Sequence, residues 1–252
     1  MPLQHFTLIS IFPELFAILT RYGVTARAIE KNIIKLNLIN PRDYTQDKHA
    51  SIDDKPFGGG PGMLMKAEPL IAAINEAKAL TPEPYIIVYL SPQGQTFKQS
   101  QAKELAKNTN LILLCGRYEG IDQRIIEQQI HQVWSIGDYV LTGGELPAMI
   151  VLDTITRLIP KVLGNAESAI KESFTDNLLD YPQYTRPQTF LNQSVPEILL
   201  SGDHKRIRLW RLKQSLGYTL RFRPEVLAQK KLSPQEQQLL EEYIKESEID
   251  PQ

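Results

Sequence analysis

The sequence holds a single cysteine, Cys115, so no disulfide can close within the 252-residue chain and a disulfide-built scaffold is excluded. Its four histidines, His5, His49, His131 and His204, are scattered, and with one cysteine they form no zinc-ligand spacing. No apolar run approaches the roughly 18 residues of a membrane span. The N-terminus lacks a basic segment followed by an apolar one, so no leader is expected. Neither G-x-G-x-x-G nor a P-loop lysine motif occurs, which removes the usual phosphate cradles of dinucleotide and NTP chemistry. An excess of one charge sign is missing too, with a net charge of −1. Hydrophobic residues at 42% and charged residues at 23% are ordinary for a chain that buries a core. A soluble, cytoplasmic, metal-free globular protein is the expectation.

The near-zero charge conceals a strong local imbalance. Residues 201–231 carry nine Lys or Arg against Asp203 and Glu225, whereas residues 232–252 carry six acids and only Lys245. Local positive charge, more than the whole-chain sum, governs contact with phosphates. A solvated helix face would give the same count.

Residues 1–163 alternate between strand and helix patterns. Short apolar runs at 6–12, 33–39, 85–90, 111–115 and 131–136 read as strands. Helical spacing appears at 69–80, 97–107 and 121–130, with Pro13 opening a helix and Pro147 opening another that Pro160 ends. This alternation predicts a mostly parallel sheet covered on both faces. Residues 164–194 are polar and contain prolines, with little periodicity, and residues 195–247 read as helical. The expected division is an α/β domain at 1–163, an interdomain loop at 164–180 and a small all-α domain at 181–252.

Three polar, glycine-bearing loops each follow a strand: SPQG at 91–94, GRYEG at 116–120 and GDYVLTGGE at 137–145. Ligands of open α/β sheets bind beyond the carboxyl ends of the strands, so the three loops are candidates to surround one pocket. Glycine lets backbone groups approach a ligand closely, and Glu119 offers a carboxylate for an ammonium. Ordinary tight turns would explain any one loop, but three in series favour a site. The run 58–62, GGGPG, suits either an anion-binding nest of amides or a hinge.

DDKPFGGGPGM at 53–63, YLSPQG at 89–94, CGRYEGID at 115–122 and SIGDYVLTGGELPA at 135–148 closely resemble the bacterial tRNA (guanine-N1)-methyltransferase family. LLDYPQYTRP at 178–187, LLSGDH at 199–204 and IRLWRLKQSLG at 207–217 do so too, and the resemblance runs from the first strand to about residue 243. It implies a parallel sheet with a deep trefoil knot, as in SPOUT-type methyltransferases, against the general rule that chains are unknotted. It implies a homodimer with active sites between subunits, acting on the tRNA anticodon arm and not on DNA or membranes. The methyl donor, S-adenosyl-L-methionine, would lie against Tyr89, Leu90, Ser91, Pro92, Gln93 and Gly94, then Gly116, Arg117, Tyr118, Glu119 and Gly120. Ile136, Gly137, Asp138, Tyr139, Val140, Leu141, Gly143, Gly144 and Pro147 would complete that site. RNA contacts are implied at His49, Asp53, Pro61, Gly62, Ser173, Arg186, Lys205, Arg208, Arg211 and Lys213. The family also leaves room for Mg2+, held through water and substrate.

Guanine N1 carries a proton, so methylation there needs a base, and the charge left on O6 needs a cation. Arg157 matches the family's guanidinium, although an i, i+4 ion pair with Asp153 is its local alternative. The family's usual Asp before Ser-Phe is replaced here by Glu172 before Ser173-Phe174. Glu172 is the expected base, with Asp180 and Asp176 as rivals and a solvated loop acid the plain alternative for each. Two competing functions stand beside this one: methylation of a ribose 2′-hydroxyl by another knotted enzyme, and a non-catalytic tRNA-binding module.

Overall fold

The computed structural model describes residues 3–107, 109–164 and 172–247. The chain falls into two compact units, Met1–Ala166 and Glu167–Gln252.

In the first unit the elements run β1 (Gln4–Ile9), α1 (Ala17–Arg21), α2 (Gly23–Glu30), β2 (Ile34–Ile39), β3 (Asp53–Asp54) and β4 (Leu64–Met65). They continue through α3 (Ala67–Leu80), β5 (Tyr85–Thr96), α4 (Gln99–Leu105), β6 (Asn110–Cys115), α5 (Gln123–Gln129), β7 (Gln132–Ser135) and α6 (Glu145–Thr156). Five strands form one sheet in the order β2-β1-β6-β5-β7, and every neighbouring pair in it is parallel. The runs of Ile, Leu and Val are what such strands require, because both faces are covered. On β6 all six residues are buried. Its Leu111, Leu113 and Cys115 join Val151, Leu152 and Ile155 of α6 in one core layer. Ile112 and Leu114 face the opposite way, against Leu70 and Ile74 of α3 and Ile125 of α5.

Local chemistry adjusts several expected boundaries. Pro13–Phe16 is a short 3-10 turn ahead of α1, so Pro13 does not open an α-helix. The strand read at 85–90 continues: Leu90 and Gln95 both pair with Trp134, and residues 91–94 bulge out between them. Helix α6 starts at Glu145, which leaves Pro147 in its first turn, where a missing N–H costs nothing.

The second unit contains β8 (Thr189–Phe190), β9 (Gln193–Ser194), α7 (Glu197–Leu200), α8 (His204–Phe222), α9 (Pro224–Leu227) and α10 (Pro234–Ser247). The β8–β9 hairpin departs from the expectation of helix alone; four residues of extended chain are too few for a sequence period to show. Asp203 caps α8 by accepting from the Lys205 and Arg206 amides, each at 3.0 Å. At α10, Ser233 and Glu236 form a reciprocal capping box. A small core of Leu178, Leu216 and Leu227 holds the unit together.

Leu113 is completely buried at the middle of the sheet. Leu113→Ala is expected to lower the unfolding free energy by about 2–5 kcal/mol in a urea titration. A loss below about 1 kcal/mol would contradict the central position given to β6.

Candidate active site

At the bulge within β5 and beyond the carboxyl ends of β6 and β7, the three polar loops line a cavity of about 290 Å³. Every residue expected at the donor site lines it except Gly94 and Asp138. Trp134, Ser135 and Thr142 line it as well, although none of the three was among the expected donor contacts. They lie at the last two residues of β7 and within the third loop, where no residue-type signal separates ligand contact from packing. Gly94 has a different duty: a Cβ there would sit 2.5 Å from the Trp134 backbone nitrogen, so glycine lets the first loop lie against β7. Asp138 is exposed.

The second and third loops are clamped together. The Gly144 amide donates to the Gly116 carbonyl at 2.9 Å, and Arg117 bridges Gly143 through the backbone. A Cβ on Gly144 would stand 2.7 Å from the Cys115 Cα, and one on Gly116 would stand 2.7 Å from the Tyr89 ring. Side chains are therefore excluded where the loops meet, and the backbone itself forms much of the wall.

Behind that wall lies a buried charge. Glu145 is 1% exposed. One carboxylate oxygen accepts from Arg117 Nε at 2.8 Å and the other from Ser10 Oγ at 2.7 Å. Arg117 also donates to the Thr142 carbonyl at 3.2 Å and lies over the Phe12 ring at 4.8 Å. The acid sits in the first turn of α6, where the helix dipole favours negative charge. Burial, and next the Glu145 charge, push the adjacent Cys115 thiol well above its ordinary value, so it stays protonated and unreactive. Burial likewise raises the Tyr89 phenol, partly offset by a hydrogen bond with Ser91, so the ring meets the cavity neutral.

The rim of the cavity is continued by residues 53–65. Met63 accepts from the Glu119 amide at 2.9 Å, and the Met65 amide donates to Gly120 at 3.0 Å. Gly62, at φ +84°, lies directly against the Glu119 side chain. Asp53 is in β3, whereas His49 and Pro61 are exposed nearby in the chain.

Arg157 closes the C-terminal end of α6. It stands thirteen residues after Gly144, or roughly 20 Å along the helix, so it does not line the cavity of its own chain.

Glu172, Ser173 and Asp180 belong to the second unit. Ser173 Oγ accepts from the Asp180 amide at 3.0 Å. The Asp180 carboxylate accepts from the Tyr181 amide at 2.9 Å and from Gln183 at 2.8 Å. Asp176 pairs with Lys230 at 2.5 Å. Phe174, Asp176 and Asn177 all have positive φ, so this segment is tightly wound. Of the cations expected to meet RNA, Lys205, Arg208 and Arg186 are exposed. Lys213 lies 2.7 Å from Glu246 of α10, and its charge is balanced there. Arg211 lies 4.8 Å over the Tyr181 ring.

A glycine-walled cavity at the carboxyl ends of a parallel sheet defines a ligand-binding α/β protein. The sequence model of the family described as "tRNA (Guanine-1)-methyltransferase TrmD" matches residues 4–229. A tRNA (guanine-N(1)-)-methyltransferase of Pseudomonas fluorescens (strain SBW25) is 55% identical over 236 residues, 94% of each chain. The enzyme of that name from Pseudoalteromonas atlantica is 53% identical over 243 residues, 96% of this chain and 92% of its own. The chain belongs to the tRNA (guanine-N1)-methyltransferase family.

Removing one partner of a buried ion pair leaves the other charge stranded. Glu145→Ala is expected to cost about 3–5 kcal/mol in denaturant unfolding. A variant as stable as wild type would show that the clamp does not hold the loops.

Proposed function

We propose that this chain is an S-adenosyl-L-methionine-dependent tRNA (guanine-N1)-methyltransferase that modifies the guanine immediately 3′ of the anticodon. The observation that carries the reading is the convergence of three loops on one cavity in a chain of this family. The cavity suits the donor: backbone walls at Gly116, Gly143 and Gly144 admit close approach by a flat adenine, and Glu119 offers a carboxylate to an amino group. Bound there, S-adenosyl-L-methionine supplies a methyl group on a positively charged sulfur. The chain's own residues hold that group in line and exclude water, and alignment is the main requirement of such a transfer. Glu172 takes the proton from guanine N1. Arg157 neutralises the charge that develops on O6. Asp176 and Asp180 secure the winding of the loop through Lys230, Tyr181 and Gln183.

The distance along α6 supports a homodimer with intersubunit active sites, because Arg157 must reach a cavity other than its own. Leu146 at 55% exposure, Ile150 at 46%, Asp153 and Arg157 follow one another at helical spacing on a single face. Phe12, Leu15, Ile18 and Tyr22 are exposed as well, and the turn at Pro13–Phe16 contacts α6. Two such faces packed antiparallel would bury this apolar surface and carry each Arg157 to the other copy's cavity. The proposal extends to a deep trefoil knot. It is supported by the bulge of 91–94 around Trp134 and by the passage of residues 136–144 across the second loop before α6.

The exposed cations of α8 would contact the phosphates of the anticodon arm and make binding strongly salt-dependent. Among the described residues no three His, Cys, Asp or Glu side chains gather in a way that could hold a metal. A Mg2+ ion would on this reading be held through water and substrate, and no step is assigned to one. No described helix is long and apolar enough to cross a membrane, and the reading includes a cytoplasmic location, where the proposed tRNA substrate is found.

Incubation with labelled donor and an unmodified tRNA transcript is expected to yield 1-methylguanosine on nucleoside analysis. Glu172→Gln and Arg157→Ala are each expected to lower the rate by about 10²-fold or more, with Asp180→Asn much nearer wild type. A dead Asp180→Asn beside an active Glu172→Gln would move the base to Asp180. A ribose-methylated product, or tRNA binding without methylation, would overturn the assignment.

A further inference from the structure

The second unit carries a cavity of about 590 Å³ that the reaction does not use, between residues 181–188 and α8. Its wall is apolar, aromatic at Tyr181, Tyr184 and Trp210 and aliphatic at Val195, Leu199, Leu200 and Ile207, and two guanidiniums, Arg186 and Arg211, stand at it. Among its lining residues there is neither Asp nor Glu. It thus has no carboxylate to take a proton from guanine N1 or to balance a cation. Arg211 shows a second feature: its guanidinium lies 4.8 Å over the Tyr181 ring, and its Nε is buried without a hydrogen-bond partner. A buried donor left unpaired is costly, and it leaves bonding capacity of the Arg211 guanidinium unused. Tyr184 is 50% exposed, an aromatic ring offered to solvent at the mouth.

Aromatic planes beside arginines are the chemistry by which proteins hold unstacked bases and their phosphates. We propose that this cavity is a subsite for one unstacked nucleotide of the substrate RNA other than the methylated guanine. The base lies on Tyr184 and Trp210, and the phosphate is held by Arg186 and Arg211. This rests on the reading of the chain as a tRNA-modifying enzyme. It adds to that reading a second place where the RNA must be unstacked. Stacking is tolerant of sequence, so the subsite selects a loop over a duplex and does not select a particular base.

The test uses the full chain and an unmodified tRNA transcript, with RNA affinity, donor affinity and ultraviolet crosslinking measured side by side. Tyr184→Ala is expected to weaken RNA binding about tenfold, within the range of one lost base stack. Tyr184→Phe should restore it, because the ring and not the hydroxyl carries the contact. Donor affinity should not change with either variant, and crosslinked nucleotides should map to the peptides holding Tyr184 or Trp210. Wild-type RNA affinity in Tyr184→Ala, with crosslinks mapping elsewhere, would overturn the subsite while leaving the methyltransferase reading intact. Loss of RNA binding with no rescue by Tyr184→Phe would also overturn it. Conversely, a wild type that binds and crosslinks as expected yet transfers no methyl group would uphold the subsite and defeat the enzyme reading. A wild type that binds no tRNA would defeat both.

Discussion

The close approach of Gly144 to Cys115 and Gly116 is the constraint on which the first unit depends. The third loop must cross the second at backbone contact before α6 can start. Any side chain at Gly144 would push the two apart, so the position is set by space and not by conformational freedom. The Arg117–Glu145 pair then holds the crossing from behind, and Ser10 ties it to the end of β1. A buried pair of this kind contributes little net stability over apolar packing, but it penalises every arrangement that separates the partners. That is the property a precise loop crossing requires. From it follow the shape of the cavity, the direction of α6 and the exposure of Leu146 and Ile150 on its outer face.

The second unit solves a different problem with different means. A basic helix cannot be buried, so α8 keeps Lys205, Arg206 and Arg208 exposed and anchors itself through Ile207 and Leu216. Gly217 admits the Tyr243 ring of α10 against the α8 backbone. The wound segment 172–180 is pinned to this scaffold by Leu178 in the core and by the Leu179 amide, which donates to Thr219 at 2.8 Å. Within it Asp180 accepts from the Tyr181 amide and Gln183, and Asp176 pairs with Lys230, so the winding is fixed by its own acids as well.

Much of the first unit was legible because its central strands are buried, β6 throughout and β5 from Ile87 to Leu90, and spell themselves as apolar runs at 85–90 and 111–115. The loops were legible as glycine-bearing polar segments after those runs. The same signal placed Gly94 at the cavity, whereas its requirement for glycine comes from the β7 backbone, a contact between segments about forty residues apart. The buried charge escaped for a related reason. An acid in the first turn of a helix is ordinary, and only the fold reveals that Glu145 faces Arg117 and Ser10. Arg157 and Glu172 were singled out by family resemblance; their spacing alone carries no chemistry. The sequence places both beside ordinary alternatives, an ion pair and a solvated acid.

Amide hydrogen exchange with and without S-adenosylhomocysteine, the demethylated donor, tests the central claim most directly, because it reads all three loops at once. Slowed exchange is expected in residues 89–94, 116–120 and 136–144 together, with the segments flanking them less changed. Binding that protects other parts of the chain and leaves these three loops exchanging as before would contradict it.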